Sequence, residues 1–117
     1  MDTNEELIRR LFTAIDTSDW SALRSLVTAD VVYDRPGFAT IDGVDDLCDF
    51  YLKRRPIASG VHDLQSLMGD HHQGFCWGRF HGLSRQGAPL EELFADWFEF
   101  KDGRVHRRRT FFYRSAI

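Results

Sequence analysis

Cysteine is scarce in this chain. Cys48 and Cys76 are too far apart for a CxxC metal or redox motif, and they fit small buried residues in a reducing compartment, although spacing alone leaves a disulfide open. No run approaches the 18 apolar residues that a membrane span needs, and the start, MDTNEELIRR, lacks an apolar h-region, so neither a span nor a signal peptide is read. There is no GxGxxG, P-loop, GxSxG or HExxH segment. His71 and His72 are adjacent in a polar turn, which is poor metal spacing. Adenylate cofactors, a nucleophilic serine and a metal centre all lose support, and no cofactor is expected. Basic excess is lacking too: 15 Lys and Arg stand against 18 Asp and Glu, so no nucleic-acid footprint is present. A cytoplasmic protein without membrane or nucleic-acid partners is the expectation.

What the chain has in excess is rings. Ten Phe, three Trp and three Tyr make 14% of 117 residues, while the hydrophobic share of 43% and the charged share of 28% are ordinary. A chain of this length is about one domain, so residues 1–117 are read as one unit whose surplus rings either fill the core or line a cavity.

The first half reads as helical. Thr3 and Glu6 match a capping box ahead of Leu7, Ile8, Leu11, Phe12 and Ile15 at helical spacing. Ser18 or Asp19 caps a second helix carrying Trp20, Leu23, Leu26 and Val27. A strand, VVYDRPG, stops at Pro36 and Gly37, and a third helix follows Asp42-Gly43 and ends before Pro56. The period then becomes two, with strands near 61–69, 73–84, 89–101 and 104–114. The KDG segment at 101–103 is a hairpin turn signal. Three helices beside a mostly antiparallel sheet give an α+β fold.

Candidate chemistry follows from strand alternation. Phe94, Asp96, Phe98 and Phe100 share one face, so Asp96 sits among rings, where desolvation raises a carboxyl pKa unless a cation offsets it. Asp96 is then either a general acid or base, or half of a structural ion pair with Arg79 or Arg108. His62 shares a face with Leu64 and points inward. Tyr33 can donate a hydrogen bond to a developing oxyanion, or serve as a core ring. Trp77, Arg79 and His81 lie on one face of their strand and Cys76, Gly78, Phe80 and Gly82 on the other. Alternation does not decide which is inward, and Gly78 and Gly82 are candidate bulges. Arg54 and Arg55 close the third helix, where cations complement the dipole. In the run His106 to Arg109, Arg108 shares a face with Thr110 and Phe112, so it alone reaches the interior, to meet Asp96 or an anionic substrate.

The order and spacing of the helix pair, DVVYDRPG, GVDDLCDFY, GRFHG and FADWFEFKDGRV resemble a cone-shaped α+β family over nearly the whole chain. That family includes nuclear transport factor two, ketosteroid isomerases and SnoaL-like polyketide cyclases. The resemblance implies a curved sheet wrapped around three helices, a cone-shaped α+β barrel with a blind, ring-lined pocket. It also implies that Asp96 stands where the cyclases place a catalytic aspartate, and that His81, similar to the histidine of their GTHTG segment, faces the pocket. Arg35 stands where ketosteroid isomerases have their base, and the first helix lacks a Tyr for an oxyanion hole, which argues against steroid isomerisation.

The expected function is therefore cofactor-independent cyclase, isomerase or epoxide-opening chemistry on an apolar oxygenated molecule such as a polyketide. Asp96, His81, His62 and Tyr33 are the expected catalytic groups; Phe12, Phe50, Trp77, Arg79, Phe98, Arg108 and Phe112 are the expected substrate-binding ones. The alternative is a non-catalytic binding or interaction module on the same fold. Trp97 and Phe111, on the outer sheet face, suggest a homodimer.

Overall fold

A computed structural model describes residues 3–115. Helix α1 spans Asn4–Asp16, opened by Thr3, whose hydroxyl accepts the Glu6 N–H at 3.1 Å. Its buried face is Leu7, Ile8, Leu11, Phe12 and Ile15. Helix α2, Trp20–Leu26, is capped by Asp19, which accepts the Ala22 N–H at 3.1 Å. Helix α3, Val44–Asp49, runs on into a wide turn over Phe50–Arg54, closed by the Arg55 N–H donating to the Phe50 carbonyl at 2.8 Å.

Six strands follow the order β2-β1-β6-β5-β4-β3. They are β1 Val27–Asp34, β2 Ile41–Asp42, β3 Ile57–Gly69, β4 Gln73–Ser84, β5 Pro89–Lys101 and β6 Arg104–Phe112. All neighbours pair antiparallel except β1 with β6, which run parallel. The sheet is curved and unclosed, with β2 and β3 at its two edges. At the β5–β6 hairpin Asp102 and Gly103 take positive φ of 54° and 73°, the geometry that KDG anticipates. The short strand β2 and the early start of β3 go beyond the sequence reading.

One face of β4 needs correcting. The inner side of this strand is Gly74, Cys76, Gly78 and Phe80, all buried, so Trp77, Arg79 and His81 project from the outer side. Crowding is the cause. A Cβ added at Gly74 would meet Ile8 of α1, and at Gly78 and Gly82 it would collide with carbonyls of β3. The register irregularities lie in β3, between Ile57 and Ser59 opposite Leu83 and Ser84 and between Leu64 and Ser66 opposite Trp77 and Gly78, and β4 keeps an unbroken alternation.

Candidate functional site

Register brings the polar interior together. Arg108 of β6 lies opposite both Tyr33 of β1 and Phe98 of β5, and Thr110 lies opposite Asp96. Diagonal neighbours on one sheet face are within reach of long side chains. Arg108 accordingly donates from Nε to Asp96 Oδ2 at 2.7 Å and from Nη1 to the Tyr51 hydroxyl at 2.8 Å. The Tyr33 and Thr110 hydroxyls share a hydrogen bond of 2.7 Å. Asp96 and Arg108 are both buried, and Asp96 Oδ1 has no hydrogen-bond partner.

Burial by itself pulls the Arg108 guanidinium down, but attraction to the Asp96 carboxylate and to the phenolic oxygens of Tyr33 and Tyr51, with the hydrogen bond to Asp96, outweighs it and holds the group above the ordinary arginine range. Burial pushes the Tyr33 phenol well above its usual value, so it stays a neutral donor. The His62 ring packs among Phe12, Phe80 and Phe94 in tilted and edge-on contacts, and its Nδ1 lies 2.5 Å from Asp16 Oδ1. Burial lowers its pKa against the pull of Asp16.

These groups line a nearly closed cavity of about 20 Å³, with Arg35, Tyr51, Arg55, Phe80, Phe94 and Phe112 completing its wall. That is room for about one water molecule. The blind, ring-lined pocket that the resemblance implies is thus largely filled. Phe50 and Phe98 are fully buried packing residues, and Phe12 lies under Arg108 with its ring centre 5.2 Å from the guanidinium carbon. Only Phe112 of the expected binding phenylalanines faces the cavity.

His81, Arg79 and Trp77 do not join Asp96, because they are on the outer sheet face. A wider hollow of about 570 Å³ lies there, floored by Met68, Phe75, Trp77, Trp97 and Phe111. Its exposed surface is mostly apolar, with Ser66 and Arg109 also lining it, whereas several charged and hydroxyl groups converge in the small interior cavity, so the interior is the better candidate for chemistry. No group of three His, Cys, Asp or Glu among the described residues is placed to hold a metal ion, and no described helix is long and apolar enough to cross a membrane.

Four polar residues of the cavity wall, and the Asp16 that holds His62, are not among the site residues expected from the sequence. Arg35 follows Tyr33 by one strand period, and Thr110 follows Arg108 in the same way, so alternation was the available signal. Tyr51 and Arg55 are one helical turn apart, but the charge of Arg55 has a sufficient explanation at the helix end. Asp16, the His62 partner, lies one turn beyond Phe12.

A family model described as a SnoaL-like domain matches residues 8–108. Among solved structures, a protein of Pseudomonas putida KT2440, provisionally described as a polyketide cyclase, superposes with a TM-score of 0.86 at 18% identity, over 98% of this chain and 94% of that one. An NTF2-like protein of unknown function from Burkholderia pseudomallei K96243 gives 0.84 at 17%, over 96% and 92%. An LEH-like epoxide hydrolase of Mycobacterium tuberculosis gives 0.80 at 17%, over 94% and 84%. No curated protein matches the chain by sequence.

Proposed function

The chain belongs to the SnoaL-like domain family, and from that premise we propose that its interior is a small-molecule site where Asp96 moves a proton on an oxygenated ligand without a cofactor. The observation that carries this reading is the state of the Asp96 carboxylate. Oδ2 is anchored by Arg108, while the buried Oδ1 of this cavity-lining residue is unpartnered. A carboxylate held by one oxygen and free at the other is an oriented proton acceptor. The Tyr33 hydroxyl, linked to Thr110, is the donor for charge that develops on a ligand oxygen. His62, held by Asp16, closes the far wall. The names carried by similar folds, polyketide cyclase and epoxide hydrolase, support ring-closing, isomerising or epoxide-opening chemistry as the class.

A second reading is favoured by one observation, the pairing of Asp96 with Arg108 in a cavity of about 20 Å³. Under it the interior is structural or binds without turnover. Styrene oxide and 2-cyclohexenone serve as probes for both readings. Turnover of either that falls about 100-fold or more in Asp96→Asn, with the variant still folded by its amide spectrum, supports the enzyme. Equal turnover in both proteins removes Asp96 from the mechanism, and binding without turnover favours the second reading.

The outer face supports a further part of the proposal, a homodimer. Met68, Phe75, Trp77 and Phe111 are exposed there side by side, with Phe111 at 52% and Trp77 at 46%. Contiguous exposed apolar surface of this kind marks an interaction site. A cytoplasmic location accords with such a protein.

A further inference from the structure

Three arginines reach the interior from separate elements: Arg35 beyond β1, Arg55 after the wide turn, and Arg108 in β6. Their exposures are only 6%, 8% and 7%. Arg108 is satisfied by Asp96 and Tyr51. The guanidiniums of Arg35 and Arg55 have no carboxylate partner among the described residues, and Arg35 Nη1 is buried without any hydrogen bond. Both are covered by rings. The Arg35 carbon lies 5.2 Å from the Phe38 ring centre, 5.5 Å from Phe50 and 5.4 Å from Phe112, and the Arg55 carbon 5.2 Å from Tyr51 and 5.8 Å from Phe80. Rings satisfy a guanidinium through its face and leave the N–H edge without an acceptor.

The cavity wall therefore carries three guanidinium cations and one carboxylate, Asp96, whose Oδ2 is engaged by Arg108. Burial lowers the pKa of Arg35 and of Arg55; Tyr33 and Tyr51 offset part of that fall, and repulsion from Arg108, and for Arg55 from Arg35 as well, adds to it. Buried charge in this excess is costly unless an anion completes it. Arg35 and Thr110 also line an open hollow of about 350 Å³ bounded by Pro36, Phe38 and Phe111. Asp34, on the same rim, is engaged by Arg109 at 3.0 Å and by Thr40 at 2.9 Å. The hollow is large enough for the body of a small molecule, whereas the inner cavity admits little more than one oxygen atom.

We infer that this protein binds a small organic monocarboxylate, one carboxylate oxygen entering the inner cavity between the guanidiniums of Arg35, whose Nη1 is unpartnered, and Arg55, and its apolar body resting in the hollow beside Pro36 and Phe38. A charged carboxylate oxygen takes charge-assisted hydrogen bonds from the two guanidiniums that are stronger than those of a neutral amide or ketone oxygen. The inference rests on the reading of the interior as a ligand site and names its substrate class.

Benzoate and its neutral counterpart benzamide are the probes, titrated into the full chain at low salt and followed by calorimetry and by the arginine Nε–H resonances. The expected result is saturable benzoate binding at least tenfold tighter than benzamide binding, with the Arg35 and Arg55 resonances shifting. Arg35→Gln and Arg55→Gln should each weaken benzoate at least tenfold and remove the preference over benzamide, and Arg35→Lys should fall between. If a variant does not fold, the wild-type resonances decide, and no Arg35 or Arg55 shift at saturating benzoate overturns the inference. Equal binding of benzoate and benzamide overturns the carboxylate but keeps the interior ligand site. Failure of benzoate, benzamide and 2-cyclohexenone alike to bind overturns both.

Discussion

Replacing Asp96 with Asn tests the interior at its most exposed assumption, that water does not reach the ion pair. The Asp96 side chain is wholly buried and that of Arg108 is 7% exposed, with 2.7 Å between Oδ2 and Nε. Removing one charge strands the other in the interior beside Arg35 and Arg55, a loss of about 3–5 kcal/mol. For a domain of this size that lowers the melting temperature by roughly 12–20 °C, taking about 4 °C per kcal/mol. Urea unfolding at 25 °C measures it, provided the m-value is unchanged. The double variant Asp96→Leu with Arg108→Met should recover most of the loss, because two matched apolar residues leave only the Tyr51 hydroxyl short of a donor, at about 1–2 kcal/mol. A cost below about 1 kcal/mol for Asp96→Asn would show that solvent screens the pair, and the argument from buried charge would fail with it. The same numbers govern any activity assay on this variant, which has to be run well below its lowered midpoint.

Two other outcomes are open to direct measurement. Burial holds the folded-state pKa of His62 below its ordinary value near 6.5, so the unfolded chain takes up that proton first. The contribution of His62 to stability is therefore complete above about pH 6.5 and is lost as pH falls below that value toward the folded pKa. Urea midpoints from pH 8 to pH 5 should decline more steeply in the wild type than in His62→Asn, and equal slopes would exclude His62 as the source. For the outer face, light scattering at micromolar concentration should give twice 13.6 kDa for the wild type. Trp77→Glu and Phe111→Glu should each halve that mass, and a wild-type monomer would refute the dimer.

Local signals carried the elements well. The Thr3 cap on the Glu6 N–H and the KDG turn are each encoded within a few residues, and both form as their local chemistry requires. The inward side of β4 is a different kind of fact, since both faces carry rings and neither carries a decisive pattern. What settles it is the approach of α1 at Gly74 and of β3 at Gly78 and Gly82, contacts between distant segments. The Asp96–Arg108 pair lay within reach of alternation because both strands had been placed correctly. Arg55 was not, because a cation at a helix end already has a sufficient local explanation, and only the wide turn after Asp49 brings it inward.

The ring surplus and the buried arginines prove to be one feature. Phe38, Phe50 and Phe112 cover Arg35, Tyr51 and Phe80 cover Arg55, and Phe12, Tyr33 and Phe98 surround Arg108. Aliphatic side chains in those places would exclude water equally well but would give a guanidinium no electrostatic partner. Rings therefore make it possible to bury several arginines with only one carboxylate at the cavity, and they do so without occupying the hydrogen-bonding edges of Arg35 and Arg55. A carboxylate added to the sequence at Phe112, by Phe112→Asp, would neutralise Arg35 from within the chain. It should reduce benzoate binding at least tenfold while leaving Asp96 and Arg108 paired. Unchanged benzoate binding in that variant would move the anion away from Arg35.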